Sequence, residues 1–268
     1  MGNGSSTAAA KHYGKYRGFV ADNKDPEKRG RLKLIVPSVF GETQTNWAEP
    51  CLPFGGLPDQ GFFMIPEIDS QVFVEFEEGD VGNPLWTGCF WQQSGDIPSE
   101  ADKEEPTTRI IKTPKGHILQ FDDGDDEEQV VIKHFLESTV VFDNNGSILL
   151  SDANENRISL DADSGKIEIT DENQNSLIMD SNGIKIEDNN GNLIELAAAG
   201  ITINGQNITI DGTQIELGGA GSEPVIKGQS FLGLFATHMH TCTAPGSPTS
   251  PPVPQGEMST LTMKTKAG

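Results

Sequence analysis

The sequence predicts an all-β chain: a small N-terminal barrel followed by a strand-and-turn shaft that tapers toward its C-terminal end. Three observations predict it. Most of the Phe, all three Trp and many of the Pro residues fall between Tyr13 and Trp91, among short alternating segments. From about Asn154 to Leu217 a strand-and-turn phrase repeats and shortens. The 268 residues are only 35% hydrophobic and 7% aromatic, too little for one ordinary core along the full length. The expected division is a flexible arm over 1–12, a barrel over 13–93, a linker over 94–112, a shaft over 113–230 and an apex over 231–268.

The arm begins Met1-Gly2-Asn3-Gly4-Ser5-Ser6, which fits a myristoylation pattern, but a Gly/Ser/Ala-rich leader reads more simply as a flexible segment. No apolar stretch approaches the ~20 residues a membrane helix needs, and there is no signal-peptide core. A soluble cytoplasmic product is therefore expected, and Asn145-Gly146-Ser147 and Asn207-Ile208-Thr209 are not read as glycosylation sites. With Asp+Glu 40 against Lys+Arg 19, the net charge of −21 repels phosphate backbones and anionic membranes, so no nucleic-acid partner is expected. Acidic runs such as Asp122-Asp123-Gly124-Asp125-Asp126-Glu127-Glu128 read as a solvated face or loop, and this one fails the spacing of a calcium loop. Cys51, Cys89 and Cys242 are odd in number and lack C-x-x-C spacing, so buried apolar side chains or free thiols are expected.

In the barrel region, Arg31-Leu32-Lys33-Leu34-Ile35-Val36 alternates polar and apolar until Pro37, and Gln71-Val72-Phe73-Val74-Glu75-Phe76 does so until the turn at Glu78-Gly79-Asp80. Pro84 to Trp91 gives another short strand. Short strands broken by Gly/Pro turns, with no useful helical periodicity, predict a closed barrel of OB type. Gly30-Arg31-Leu32-Lys33-Leu34, Asn46-Trp47-Ala48-Glu49-Pro50, Ile65 to Asp80 and Pro84-Leu85-Trp86-Thr87-Gly88 resemble, in that order, the OB domain of phage baseplate spike proteins and of related contractile injection systems. The resemblance implies a collar mounted on a trimeric hub at the end of the tail tube. The other reading is an oligonucleotide- or sugar-binding OB barrel; Arg17, Lys24, Lys28, Arg29, Arg31 and Lys33 give a basic edge that Glu75, Glu77, Glu78 and Asp80 offset.

Ser94 to Thr108 is polar, acidic and Pro-containing and reads as linker. Thr113 to Asp123 resembles the entry to the β-helical shaft of the same spike family; His117 is assigned no chemistry. Residues 154–170, 171–187 and 188–204 align at a period of 17, with Ile167, Ile184 and Ile201 in register and Ile169, Ile186 and Ile203 two places later. The period then falls to 7, through Ile201-Thr202-Ile203, Ile208-Thr209-Ile210 and Ile215-Glu216-Leu217, each followed by a Gly-containing turn. Apolar positions at i and i+2 are β spacing and reject a coiled coil. One such strip has too little apolar surface and too many free edges to stand alone. Three identical chains wound together solve both, so an intertwined trimeric β-helix is expected, narrowing as its repeat shortens. A single-chain β-solenoid is the rival, with more even turn lengths expected of it.

At the apex, Phe231-Leu232-Gly233-Leu234-Phe235 is read as a compact plug. His238 and His240 stand at i and i+2, one face of an extended strand. Two imidazoles from each of three chains make six nitrogens, a set that suits an octahedral transition metal better than tetrahedral zinc. Spikes of the resembled family hold iron on the threefold axis through such an H-x-H pair; Cys242 is a rival ligand, and the path of 243–268 is left open. The expected function is a non-enzymatic, homotrimeric spike in the virion baseplate that meets the host outer membrane on contraction. A β-solenoid adhesin or sugar-binding tail protein is the alternative, and exposed shaft aromatics would mark it; Asn144 to Gln229 contains none. An enzyme using His238 and His240 lacks a third ligand motif.

Overall fold

The computed structural model describes residues 10–213 and 228–237. The chain divides into two compact units, Met1–Gln206 and Asn207–Gly268.

The first unit opens with the barrel: β1 (Tyr16–Asp22), β2 (Lys33–Ile35), helical turn α1 (Pro37–Phe40), β3 (Glu49–Pro50), β4 (Gln71–Phe76) and β5 (Pro84–Cys89). The sheet order is β2-β1-β4-β5-β3, all antiparallel except β3 beside β5. Bridges Leu32↔Ala48 and Ile35↔Gln44 tie the approach to β3 back onto β2, which closes the sheet on itself as an OB barrel requires. Strict alternation in β4 sends Val72, Val74 and Phe76 inward, where they meet Val20, Leu32, Leu34, Val36, Ala48 and Trp86. The Trp86 Nε1–H donates to the Gly30 carbonyl at 3.0 Å, so the one polar atom of that ring is satisfied inside the core. Gly30 itself has φ +78, and a Cβ there would stand 3.0 Å from Ile65 Cδ1.

The rest of the unit is one antiparallel meander of eleven strands in sequence order. They are β6 (Thr108–Lys112), β7 (Ile118–Asp122), β8 (Gln129–Lys133), β9 (Thr139–Phe142), β10 (Ile148–Ser151), β11 (Arg157–Asp161), β12 (Lys166–Thr170), β13 (Ser176–Asp180), β14 (Gly183–Glu187), β15 (Leu193–Ala197) and β16 (Gly200–Asn204). The sheet thus starts inside the stretch read as linker: Ile110 and Ile111 make Thr108–Lys112 a strand paired with β7. The period of 17 is one hairpin, with β12, β14 and β16 carrying Ile167, Ile184 and Ile201 in equivalent places.

Successive turns alternate between the two sides of the sheet, and only one side shortens. On one side the turns at 113–117, 134–138, 152–156, 171–175 and 188–192 keep five residues. On the other they run 123–128, 143–147, 162–165, 181–182 and 198–199, from six residues to two. Gly183 makes the tight turn possible: its φ is +140, and a Cβ would fall 1.9 Å from the Leu196 carbonyl oxygen. Among the described residues the meander's strand edges pair with their sequence neighbours, leaving the outer edges of β6 and β16. Ile208-Thr209-Ile210 is in no strand. Ile215-Glu216-Leu217 lies outside the described residues.

In the second unit the run Phe231 to Phe235 is part of a helix, α2 (Gly228–Thr237), which straddles the expected shaft–apex boundary. Phe231 and Phe235, four residues apart on one helical face, stack with ring centroids 5.8 Å apart.

Candidate functional site: an apolar assembly face

The meander has two unlike faces. On one, side chains line up across every strand in two ladders. The first runs Ile111↔Leu119↔Ile132↔Val140↔Leu150↔Ile158. It continues Ile169↔Leu177↔Ile186↔Ile194↔Ile203 without a polar member. The second carries Phe121, Phe142, Leu160, Ile167, Met179 and Ile184 among others, with Arg109 at its start. The opposite face turns polar from β11 on, with Ser159↔Glu168, Ile178↔Lys185 and Lys185↔Glu195, and same-face ion pairs Lys166–Glu168 and Lys185–Glu187, both at 2.6 Å.

The usual burial is inverted: in β12 and β14 the isoleucines are more exposed than the charged residues between them. Ile167 is 38% and Ile186 43% exposed. Full burial of such a side chain is worth about 1.5–3 kcal/mol. Two ladders left this open forgo on the order of 10 kcal/mol of burial and form an exposed apolar patch of the kind that marks interaction surfaces.

Asp–Asn hydrogen bonds hold three of the five turns on the five-residue side. Asp171 Oδ1 accepts the N–H of Asn173 at 2.9 Å and of Asn175 at 2.8 Å, and its Oδ2 accepts from Asn175 Nδ2 at 2.6 Å. Asp152 and Asp188 repeat the pattern. Donation from the fifth-position Asn side chain leads the causes that hold all three carboxyls below their ordinary range.

The acidic run read as solvated contains one buried member. Asp122 is 3% exposed and accepts from Thr108 Oγ1, Gln120 Nε2 at 2.6 Å, Gln129 Nε2 at 3.0 Å and Lys103 Nζ at 3.1 Å. Burial pushes its pKa up, but these donors outweigh burial and bring it to about 2. Together with Lys112–Glu100 at 2.8 Å, this fastens the segment before β6 onto the start of the sheet.

On the barrel two members of the basic edge are ion-paired. Arg31 is clamped by Asp25 at 2.7 Å and Glu27 at 3.1 Å, and Arg29 by Glu49 at 2.9 Å. The Arg31 side chain, followed by three backbone donors, holds the Asp25 carboxyl well below its ordinary value despite burial. Lys33 lies over Trp47 at 5.3 Å and Arg17 over Phe90 at 4.9 Å. Between Leu52 and Ile65, both packed on the core, an apolar loop projects outward. Phe54 is 61%, Leu57 67% and Phe63 68% exposed, and the loop is closed by the Phe62 N–H donating to the Phe54 carbonyl at 2.9 Å.

His238, His240 and Cys242 lie outside the described residues. Cys51 and Cys89 are exposed free thiols. His117 stands 4.7 Å from His134, ring to ring, with Phe135 beside both. Among the described residues no group of three or more His, Cys, Asp or Glu is placed to hold a metal ion. Sequence reading missed the Asp122 anchor and the His117–His134 contact. The anchor's donors are scattered from Lys103 to Gln129, and only the repeated Asp-x-Asn-x-Asn phrase signals the turn network.

A closed OB barrel followed by a sheet with one exposed apolar face makes this a two-part all-β protein. Residues 16–91 match the Type VI secretion system/phage-baseplate injector OB domain. Over 116 residues the chain is 28% identical to the Type VI secretion system spike protein VgrG5 of Pseudomonas aeruginosa. That match takes in 40% of this chain and 14% of that protein's length. The family match thus covers the barrel region alone. Among solved structures, the G-box domain of the microcephaly protein CPAP is similar over 36% of this chain and 76% of that one, at 17% identity and a TM-score of 0.25. A score that low carries no argument.

Proposed function

We propose that this chain is a structural, non-enzymatic spike at the tip of a contractile tail tube, carried in the virion baseplate and driven through the host outer membrane on contraction. The observation that supports this most directly is the pair of unbroken apolar ladders left exposed behind an injector OB domain. In this reading two further copies of the chain cover the ladders, giving a homotrimer with apolar rows inside and the Glu/Lys face outside. The barrel docks on a hub protein, and its loop with Phe54, Leu57 and Phe63 is the surface suited to that contact. Iron held by His238 and His240 from each copy, six nitrogens in all, belongs to the same proposal and rests on their spacing. A spike of a phage-like injection system is the second reading, favoured by the VgrG5 relative.

Solution mass measured together with metal content tests it. The expected result is a three-chain mass with iron that is lost in the His238→Ala, His240→Ala double variant. A monomeric chain would overturn the spike, and a trimer whose metal content ignores the double variant would overturn the metal site alone.

A further inference from the structure

In the five-residue turn 171–175 every backbone N–H has an acceptor, but one of those acceptors lies outside the turn. Asp171 N–H donates to the Asn175 carbonyl and Gln174 N–H to the Asp171 carbonyl. Asn173 and Asn175 N–H groups donate to Asp171 Oδ1. The remaining N–H, of Glu172, donates to Asn156 Oδ1 at 3.0 Å, an oxygen of the preceding turn on the same side of the sheet. One hairpin further on, Asn189 N–H donates to Asn175 Oδ1 at 3.3 Å. In both cases the same Asn gives its Nδ2–H to its own Asp, so one carboxamide joins two turns. On the other side of the sheet Ser147 Oγ plays the acceptor part alone, taking the Ala162 N–H at 3.1 Å.

We propose that the fifth-position asparagines Asn156 and Asn175 form a side-chain spine that couples the successive turns 152–156, 171–175 and 188–192, independently of the strand ladder. Strand-to-strand hydrogen bonds resist separation of neighbours; the spine adds a link that spans two strands at a time and opposes sliding of whole hairpins past one another. It accounts for the constant five-residue length of the turns 152–156, 171–175 and 188–192 while those opposite shrink. A shorter turn has no fifth residue to reach its neighbour. Its value in resisting axial load rests on the spike reading, whereas the coupling itself does not.

Amide hydrogen exchange on the full chain tests the spine whatever its oligomeric state. Losing one acceptor of this kind should speed exchange roughly three- to tenfold at the affected N–H. Asn175→Ala is expected to accelerate Asn189 but not Glu172's partner contact to Asn156, and Asn156→Ala is expected to accelerate Glu172 while leaving Asn189 alone. Asn175→Ser, the residue type that does this job at 147, should hold Asn189 near its original rate. Unchanged exchange at both N–H groups, or equal acceleration of both by either alanine, would overturn the proposal. If an alanine variant loosens the whole sheet, the serine variant decides: Asn189 exchanging as fast as in Asn175→Ala sinks the spine.

Discussion

The barrel and the meander are built from the same alternating strands and reach opposite states of completion. In the barrel, alternation sends Val72, Val74 and Phe76 into a closed interior, and Leu32, Leu34 and Val36 have no exposed surface left. In the meander the same alternation collects Ile, Leu and Val on one face and nothing among the described residues covers it. The barrel closes because its strands differ in length and bend at register shifts near Val20 and Val72, so the sheet can meet itself through the Leu32 and Ile35 bridges. The meander's near-uniform strands of four or five residues have no comparable shift, and they stack indefinitely without closing. Closure of the barrel and openness of the meander therefore follow from strand regularity rather than from hydrophobic content.

The strongest way to break the contrast is to charge the uncovered face. Ile169→Asp with Ile186→Asp puts two carboxylates on one ladder, either side of Leu177, and burying each unpaired would cost several kcal/mol in every copy. Assembly is expected to be lost altogether, read as a fall to single-chain mass, while Trp emission stays unchanged because Trp47, Trp86 and Trp91 all lie in or beside the barrel. A chain that still assembled would show that the ladders face solvent. Next in size is the converse change. Leu34→Ala opens a cavity in a fully buried site and should destabilise the barrel by about 2–5 kcal/mol, seen in denaturant unfolding followed by Trp emission. Solution mass should not move, and a coupled loss of assembly would mean that the two regions do not complete themselves separately.

The readability of the two regions from sequence differs for the same reason. Barrel strands announced themselves through alternation bounded by Pro37 and the Glu78-Gly79-Asp80 turn, and the ladder register was visible in Ile167, Ile184 and Ile201 because a regular sheet preserves sequence period. Sequence period does not reveal pairing within the chain, since the same i, i+2 pattern suits strands paired in one chain or between chains. Thr108–Lys112 looked like linker because charge and Thr surround its two isoleucines, and only the Asp122 anchor explains why the segment is held. Phe231 to Phe235 gave no period long enough to tell helix from strand, and helix α2 occupies it. The apex histidines remain a matter of spacing, His238 and His240, outside the described residues.

Acid offers the smallest and most graded test of the comparison. A carboxyl whose pKa is depressed in the folded chain stabilises it at pH values above the unfolded pKa, and that contribution disappears as pH falls through the folded value. Asp122, moved from 3.8 to about 2, thus ties the start of the meander to its preceding segment until the pH drops from about 4 toward about 2. The turn carboxyls Asp152, Asp171 and Asp188 shift in the same direction and weaken in the same descent. In the barrel the matching group is Asp25, which its Arg31 partner holds lower still. Far-UV dichroism, dominated by the eleven-stranded sheet, is therefore expected to change at higher pH than Trp emission, which reports the barrel alone. Emission that moved first on acidification would mean that the barrel, not the open sheet, is the less secure half of the molecule.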